Sequence, residues 1–503
     1  MKDKILCWLD NEWIHFGIAK FIQDKYDCDM YAAIDIRYTS RKFYESQNII
    51  KFNKTWYYRD HISTTKPYDL NYLKSFEEKY NINLWNIAFA ERFFYKYNEF
   101  YKFTDDEILS LLETECKFFE EVLEKTRPDY LLIKMTDSHQ SNLLHQLCKK
   151  KGIKTLMISL TRFGYRYGVF DDYDQIMDSS TDGDIESSGN RTISELQNFL
   201  QDHSARKEIT IIESRSQIPI LRRIKKYLKY VKLIGDEDFK TYYANYGKSR
   251  LKVVGKFLFL RRIYRKRFID KKFIKEIDKE EKFIYFPLHY EPERALLLEA
   301  PFYTDQILVI SNIARSLPIE YKLYVKEHVA MFETGWRKIS YYEKILEIPN
   351  VRLIHPSVKS EELLKKTSLV VTISGTSGLE AVFYNKPAIV LADVSYASIS
   401  SVYRLKNIEE LPMVIRKMLH TKVNVSDLNK YVNQIMKKSF EFDFHGLYLD
   451  FNEYFVDDFA NGFGSIPVQK MESFLEKYNE QFEKLAMEHI KQIMTSKHDG
   501  HSI

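Results

Sequence analysis

Cysteine is scarce in this chain of 503 residues, which contains four: Cys7, Cys28, Cys116 and Cys148. No two of them form a C-x-x-C pair. Disulfide-stapled folds and structural zinc sites both need closely spaced cysteines, so the sequence argues against both. Scattered thiols are typical of proteins from a reducing compartment, and the expected location is the cytoplasm.

The chain also lacks long apolar runs. No segment reaches the roughly 18 consecutive apolar residues that a membrane-spanning helix needs. The stretch Met1–Trp13 has a charged start and a short apolar run that Asp10 interrupts. This pattern predicts a first β-strand rather than a signal peptide.

Neither charge sign is in large excess, because 76 Lys and Arg face 71 Asp and Glu, for a formal net charge of +5. So small an excess does not indicate nucleic-acid binding, and the sequence carries no recognised nucleic-acid motif. The acidic pair Asp457 and Asp458 lies away from the strand-end motifs described below. The sequence therefore predicts neither a metal ion nor a cofactor.

Hydrophobic residues make up 45% of the chain and aromatic residues 15%, which is ample for sizeable cores. A chain of this length is expected to divide into more than one domain. Over residues 1–176, strand-like segments at 4–9, 30–36, 130–135 and 155–160 alternate with helical periodicity. This alternation predicts an α/β domain with a parallel, doubly wound sheet.

Three segments with apolar residues at helical spacing are each predicted to form one helix, over 85–98, 302–316 and 471–494. A second α/β domain is expected over 282–437 because strand-like and helical segments alternate there as well. Residues 438–503 are expected to form a helical segment that packs back across the cleft between the two domains.

Polar side chains follow the predicted strands of the first domain. In parallel sheets, ligands bind at the carboxyl ends of the strands. We therefore expect Asp10, Asp137, His139 and Arg162 to share one rim, where an acceptor substrate would sit. The alternative, that each is ordinary polarity of a solvated loop, is open for every residue taken alone.

Residues 177–281 interrupt the α/β pattern with a turn-rich loop followed by a basic helical insert. Within it, Leu251–Phe268 interleaves apolar residues with cations, among them Arg261, Arg262, Arg265 and Arg267. Such a helix can lie on an anionic membrane surface. It can equally be an ordinary amphipathic helix packed on the body of the protein. Binding of a nucleic-acid strand is the least favoured reading.

The most informative segment is a buried strand over 368–373 followed by a small polar turn and a short helix. The turn consists of Ser374, Gly375, Thr376, Ser377 and Gly378. Glycine permits close approach of a ligand to the backbone, and hydroxyl groups can bind phosphate. Glu380, just inside the helix, is placed to reach the hydroxyls of a ribose. The alternative is that the hydroxyls merely cap the helix.

Two further groups follow predicted strands of the second domain. Lys326 and His328 are candidates to stabilise the charge that develops on a departing phosphate. Glu291 is the first choice for a catalytic carboxylate, with Glu293 as its alternative, and His289 is expected beside it. Since all follow strands of one parallel sheet, we expect them to meet the Ser/Gly turn at one edge.

The turn resembles the one in the second half of GT-B glycosyltransferases and non-hydrolysing UDP-sugar 2-epimerases. Three motifs in order resemble the capsule polysaccharide biosynthesis transferases, a group that includes Kdo transferases. They are YFPLHYEPE at Tyr285–Glu293, the K-E-H motif at Lys326–His328, and the turn at Ser374–Gly378. The first half of the chain matches only in general style. Val329 departs from the pattern, since the family usually has proline there.

The resemblance implies a GT-B-like α/β fold, with two Rossmann-like domains facing a cleft. It also implies a glycosyltransferase that moves a sugar from a CMP- or UDP-activated donor to a surface or capsular glycan or glycolipid. The expected partners are that donor and acceptor and possibly an anionic membrane surface, with no nucleic acid. A UDP-sugar 2-epimerase and a non-catalytic polysaccharide-assembly protein are the alternatives.

Overall fold

The structure is a computed structural model that describes residues 2–36, 38–92, 94, 102–175, 191–202, 262–332, 336–455 and 466–499. It contains two sheets, one of seven strands and one of six. We call the body built on the seven-stranded sheet the first domain and the body built on the six-stranded sheet the second domain.

The first sheet has the strand order β13-β6-β5-β4-β1-β2-β3. Its strands are β1 (Asp3–Leu9), β2 (Cys28–Ile34), β3 (Lys54–Tyr57), β4 (Tyr130–Lys134), β5 (Lys154–Leu160), β6 (Arg166–Phe170) and β13 (Phe440–Glu441). Strands β1 to β5 pair in parallel, whereas β6 is antiparallel to both of its neighbours. Its central strands are apolar and buried because helices cover both faces.

The helices around this sheet are α1 (Ile14–Lys25), α2 (Tyr38–Ser46), α3 (Leu70–Tyr80), α4 (Leu84–Phe89), α5 (Asp105–Thr126) and α6 (His139–Lys150). The longest of them, α5, shows how the sequence sets helix ends. Thr104 and Glu107 form a capping box at its start, and Arg127 ends it in the left-handed region with φ 46°.

The second sheet is parallel throughout and has the strand order β12-β11-β10-β7-β8-β9. Its strands are β7 (Lys282–Pro287), β8 (Tyr321–Lys326), β9 (Val351–Ile354), β10 (Leu369–Thr372), β11 (Ala388–Val390) and β12 (Val402–Arg404). In chain order this is the 3-2-1-4-5-6 arrangement of a Rossmann sheet. The expected pair of Rossmann-like doubly wound domains is thus confirmed.

The helices of the second domain are α7 (Ile193–Asp202), α8 over 262–272, α9 (Arg294–Leu297), α10 (Gln306–Arg315), α11 (Ile339–Leu346), α12 (Ser360–Lys366), α13 (Ser377–Phe383), α14 (Leu411–Leu419) and α15 (Val425–Lys438). Helices α7 and α8, both from the expected insert, place Leu196 and Ile269 in the core of this domain. Residues 203–261 of that insert, with most of the basic stretch, lie outside the described part of the chain.

After α15 the chain returns to the first domain. Strand β13 extends the first sheet, and three helices follow: α16 (Phe444–Tyr454), α17 (Val468–Lys477) and α18 (Asn479–Asp499). Phe482 of α18 stacks on Phe21 of α1, with ring centroids 5.7 Å apart. A Cβ at Gly17 would lie 2.3 Å from the Phe482 ring, so glycine allows this close approach.

The three long predicted helices are each divided or shortened. The helix expected over 85–98 ends at Phe89, and Phe94 beyond it turns in against His139. The helix expected from 302 begins at Gln306, because the Asp305 carboxylate accepts the first free N–H groups and caps it there. The helix expected over 471–494 is two helices that meet at Tyr478.

None of the helices in the described ranges combines the length and the apolar character that crossing a bilayer would require.

Candidate functional site

Strand ends of both sheets meet at a cavity of about 460 Å³ between the two domains. The first domain contributes the end of β5 and Arg162. The second contributes Lys326 and His328 after β8, and Thr376, Ser377 and Glu380 after β10. A cavity of this size suits a small-molecule ligand. The structure thus brings five of the predicted donor-site residues and Arg162 to one wall.

The Ser/Gly turn is built against a buried imidazole. The N–H of Ser374 donates to Nε2 of His289 over 3.1 Å, and the Tyr396 hydroxyl donates to the carbonyl of Gly375 over 2.5 Å. A Cβ at Gly375 would lie 3.3 Å from His289 Nε2 and 2.9 Å from Thr372 Oγ1. A side chain here would therefore displace the Thr372 hydroxyl and press on the His289 ring.

His289 does not line the cavity, contrary to the expectation that it faces the cleft. Its side chain is buried behind the turn. Burial, with the nearby charges of Arg162 and Arg337, lowers the pKa of His289 to about 3. The ring is therefore neutral, with Nε2 as an acceptor, and it positions the turn rather than reaching substrate.

The hydroxyls of the turn differ in what they can do. Ser374 is fully buried, and its hydroxyl donates to the carbonyl of Ala295 over 3.0 Å, so it is not available to a phosphate. Thr376 is exposed, and its hydroxyl donates to the Glu380 carboxylate over 3.1 Å. Among the described residues, the Ser377 hydroxyl bonds no protein group, which leaves it directed to a ligand.

His328 is held by a turn that starts directly after it. The N–H of Ala330 donates to His328 Nδ1 over 3.2 Å, so the ring proton resides on Nε2. Burial, with the charges of Lys326 and Arg337, lowers the pKa of His328 to about 4. At neutral pH His328 is thus a neutral N–H donor at the cavity. Val329 begins this turn, so it forms without the proline usual in the resembling family.

Lys326 lies at the end of β8 with its ammonium group donating to the Ser360 hydroxyl over 3.0 Å. Ser360 begins α12 and also lines the cavity. The lysine is largely buried, so its charge acts at short range and with little screening. Lys326, His328 and Ser377 together offer one cation and two neutral donors to a single anionic group.

Glu291 is bound within the protein rather than free at the cleft. Its carboxylate forms an ion pair with Arg337 at 2.7 Å and accepts a hydrogen bond from Gln306 at 2.5 Å. Arg337 also binds the buried Glu327 carboxylate at 2.8 Å and the carbonyl of His289. This arrangement ties together the loops after β7 and β8, and it occupies both oxygens of the Glu291 carboxylate.

Arg162 was predicted to bind the acceptor, but its side chain bridges the two domains. From the end of β5 its guanidinium donates to the carbonyl of Ser374 in the second domain. It also pairs with Asp174 at 2.7 Å and with Glu299 at 2.6 Å. Asp174 in turn accepts from the N–H and hydroxyl of Ser395 at 3.0 and 2.6 Å. The arginine therefore fixes the donor-side turn relative to the first sheet.

The remaining first-domain rim is an ionic cluster around one lysine. Lys134, the last residue of β4, lies 2.9 Å from Asp10, 3.4 Å from Glu12 and 3.4 Å from Asp137. Burial raises the pKa values of Asp10 and Glu12 despite the opposing charge of Lys134. Asp10 and Asp137, both predicted for the acceptor side, thus do meet at one sheet edge.

His139 lies in the core and not on the acceptor rim. Its ring is 0% exposed and lies 2.5 Å from the Glu91 carboxylate and 2.8 Å from that of Glu115. Burial opposes a charge on the ring, but the two carboxylates outweigh it and raise the pKa of His139 to about 10. It is therefore a buried imidazolium that holds α5 and α6 together.

Within the described ranges, no group of three or more His, Cys, Asp or Glu side chains is arranged to hold a metal ion. The Lys326 ammonium group and the His328 N–H at the cavity can compensate a phosphate charge.

Sequence reasoning missed Arg337 and Lys134. Arg337 pairs with residues 10 and 46 positions away and stands in no motif, so the sequence carries no signal for it. Lys134 did leave a signal, because a charged residue closes an otherwise buried strand. Such a position needs a partner of opposite charge.

Comparison with known proteins gives one family match. Residues 197–402, about two fifths of the chain, match the family described as capsule polysaccharide biosynthesis protein. The matched region ends at the first residue of β12, so it includes the other five strands of the second sheet and every second-domain residue of the cavity. No curated protein matches the chain in sequence.

Several solved structures resemble the chain remotely. UDP-GlcNAc 2-epimerase from Methanocaldococcus jannaschii is 14% identical, with a TM-score of 0.24, and the match covers 86% of this chain and 99% of that one. The KpsC beta Kdo 2,7 transferase from Thermosulfurimonas dismutans is 10% identical, with a TM-score of 0.30, covering 63% and 79%. The fold assignment is based on the strand order of the two sheets and not on these remote similarities.

Proposed function

We propose that this chain is a glycosyltransferase of surface or capsular polysaccharide assembly. The proposal starts from the match of residues 197–402 to the family described as capsule polysaccharide biosynthesis protein. It would move a sugar from a nucleotide-sugar donor, activated by CMP or UDP, to a glycan or glycolipid acceptor. The observation that supports the proposal is the cavity between the domains, which is lined by groups able to bind a phosphate.

The donor phosphate is assigned to the space between Ser377, Lys326 and His328. Ser377 has a hydroxyl directed to a ligand, Lys326 a buried ammonium group, and His328 a proton on Nε2. Breaking the sugar–phosphate bond moves negative charge onto the phosphate oxygen. Fixed donors in a protected site stabilise that charge more in the transition state than before it.

The ribose is assigned to Glu380, three residues into α13 and on the same cavity wall. Its carboxylate already accepts from Thr376, which fixes its direction. A carboxylate so oriented can accept hydrogen bonds from vicinal hydroxyls. Thr376 therefore contributes the alignment of Glu380.

The acceptor is assigned to the first-domain rim formed by Asp10, Glu12, Lys134 and Asp137. This rim lies at the carboxyl edge of the first sheet, the same edge that carries Arg162 to the donor cavity. Carboxylates can accept hydrogen bonds from sugar hydroxyls. Three carboxylates around one lysine favour hydroxyl-rich over strongly anionic acceptor groups.

We place the enzyme in the cytoplasm, held reversibly at the inner face of the membrane by the basic stretch. In helix α8 the inner side is already packed, since Ile269 is buried in the second-domain core. The outer side exposes Tyr264 at 70% and Ile263 at 41%, beside the exposed cations Lys266 and Arg267. An aromatic residue among cations suits an anionic lipid surface.

The proposal is tested by incubating the purified chain with CMP-, UDP- and GDP-sugars, with and without glycan acceptors. Released nucleotide and converted sugar are both measured. A transferase releases nucleotide faster when an acceptor is present, an epimerase converts the sugar without one, and an assembly protein does neither. Lys326→Met is the matched control, because it keeps the length of the side chain and removes the charge. If nucleotide release by the Lys326→Met variant still depends on the acceptor, the donor phosphate is not bound at the assigned position.

A further inference from the structure

One buried carboxylate lies between two of the donor-site residues. Glu327 stands in the chain between Lys326 and His328, and it is 1% exposed. One of its carboxylate oxygens accepts the backbone N–H of His328 over 2.7 Å. The other accepts the Tyr342 hydroxyl over 2.7 Å and Nε of Arg337 over 2.8 Å. Both oxygens are therefore used within the protein.

The pair of Glu327 and Arg337 is unusual because both charges are buried. A buried ion pair contributes little net stability compared with apolar side chains of similar volume, because both charges lose their hydration. Removing one partner alone is strongly destabilising, since the other charge then stays buried. What such a pair supplies beyond stability is the geometry that it imposes on the groups bound to it.

The group that Glu327 fixes is the backbone of His328, directly after β8 ends. The His328 side chain is exposed at the cavity, and its Nδ1 accepts the N–H of Ala330 over 3.2 Å. Backbone and ring are thus both fixed by hydrogen bonds, which gives the proton on Nε2 one direction. A donor that is fixed before the ligand arrives need not be ordered when the ligand binds.

Arg337 extends this support to the other half of the donor site. Its guanidinium donates to the carbonyl of His289 as well as to Glu327. Nε2 of His289 in turn accepts the N–H of Ser374 over 3.1 Å. One guanidinium therefore links the loop that carries His328 to the Ser/Gly turn.

We propose that Glu327 and Arg337 are positioning residues of the donor site. Glu327 directs the His328 N–H toward the donor phosphate, and Arg337 holds that N–H in register with the Ser/Gly turn. This inference rests on the proposed glycosyltransferase function, since it needs a nucleotide in the cavity. Loss of Glu327 should therefore remove the contribution of His328 to nucleotide binding and leave that of Ser377 in place.

The test is a set of double-mutant cycles, read by calorimetric titration of the full chain with UDP and with CMP. In the wild type, His328→Ala should raise the Kd by about 10- to 150-fold, the range for a hydrogen bond to a charged group. In a Glu327→Leu background, His328→Ala should raise the Kd by about threefold or less. Ser377→Ala should keep its full effect in that background. In an Arg337→Leu background, the effects of His328→Ala and Ser377→Ala should both shrink.

Glu327→Gln is the rescue variant, because its amide oxygen can still accept the His328 N–H. It should retain most of the effect of His328→Ala, although it is as uncharged as leucine. Tyr342→Phe is the matched control, since it removes one donor to Glu327 and leaves the bonds to His328 and Arg337. Both His328→Ala and Ser377→Ala should keep their full effects there. If Glu327→Leu does not fold, a variant with leucine at both 327 and 337 removes both charges, and the effect of His328→Ala should be lost in it.

The outcomes separate this proposal from the function on which it rests. If His328→Ala has the same effect in the leucine backgrounds as in the wild type, Glu327 only stabilises the fold and the positioning role is wrong, although the donor site stands. If His328→Ala leaves the Kd of the wild type unchanged, Glu327 has no contribution to direct and the proposal is again wrong. If the wild type binds neither UDP nor CMP, the proposed function fails and the positioning role fails with it.

Discussion

Replacing Ser377 by alanine tests the donor site most directly. The Ser377 hydroxyl lines the cavity and bonds no protein group among the described residues. The substitution therefore removes a contact to a ligand without breaking one inside the protein. The fold should keep its thermal stability, because surface substitutions of this kind usually change the free energy of unfolding by less than about 0.5 kcal/mol.

The expected loss follows from the chemistry of the contact. A hydrogen bond to a charged group contributes about 1.5–3 kcal/mol. About 1.4 kcal/mol corresponds to a tenfold change in Kd. Ser377→Ala should therefore raise the Kd for phosphate-containing nucleotides by about 10- to 150-fold. Thr376→Ala should weaken nucleotide binding less than Ser377→Ala does. The single proton of the Thr376 hydroxyl is donated to Glu380, so its effect on the ligand acts through the direction of that carboxylate.

Calorimetric titration with UDP and with CMP, at fixed salt concentration, measures both Kd values. Ser374→Ala provides the matched control three residues away, because that hydroxyl is buried on the carbonyl of Ala295 and does not face the cavity. It should cost stability, by about 0.5–1.5 kcal/mol for a lost hydrogen bond, with little effect on Kd. Unchanged affinity in both Ser377→Ala and Thr376→Ala would refute the assigned phosphate position.

Two further predictions concern the membrane and the first-domain core. With Lys266 and Arg267 both changed to glutamate, co-sedimentation with anionic vesicles should fall, since each cation near such a surface contributes about 1 kcal/mol; equal pelleting with neutral vesicles would contradict docking. Because the pKa of His139 is raised in the folded chain to about 10, its stabilising contribution should be full below pH 6.5 and gone above pH 10. Chemical denaturation across that interval should show the decline in wild type, and an identical slope in His139→Gln would contradict it.

The sequence predicted what is local. The buried strand before Ser374 and the glycine turn after it follow from residues adjacent in the chain, and both are present. The convergence of the β8 and β10 ends also follows, because parallel strands place their carboxyl ends together. These rules depend on order along the chain and not on distant partners.

The sequence could not predict which of several polar side chains after a strand faces the cavity. Ser374 and Ser377 look alike in the sequence, yet one donates to a backbone carbonyl 79 residues away. His289 and His328 both follow strands, yet a backbone N–H from the Ser/Gly turn binds one of them. Glu291 does not have the free carboxylate that was expected, because it forms an ion pair with Arg337, whose position depends on tertiary packing. Such pairings are set by contacts far apart in sequence.

The return of the chain to the first domain has a consequence for its synthesis. The core of that domain is incomplete until Phe482 stacks on Phe21 and β13 joins the first sheet. The second domain, by contrast, is assembled from one continuous stretch. At ribosomal rates of about 5–20 residues per second, the first strands wait tens of seconds for their closing helices. The domain translated first is therefore the one whose core is completed last.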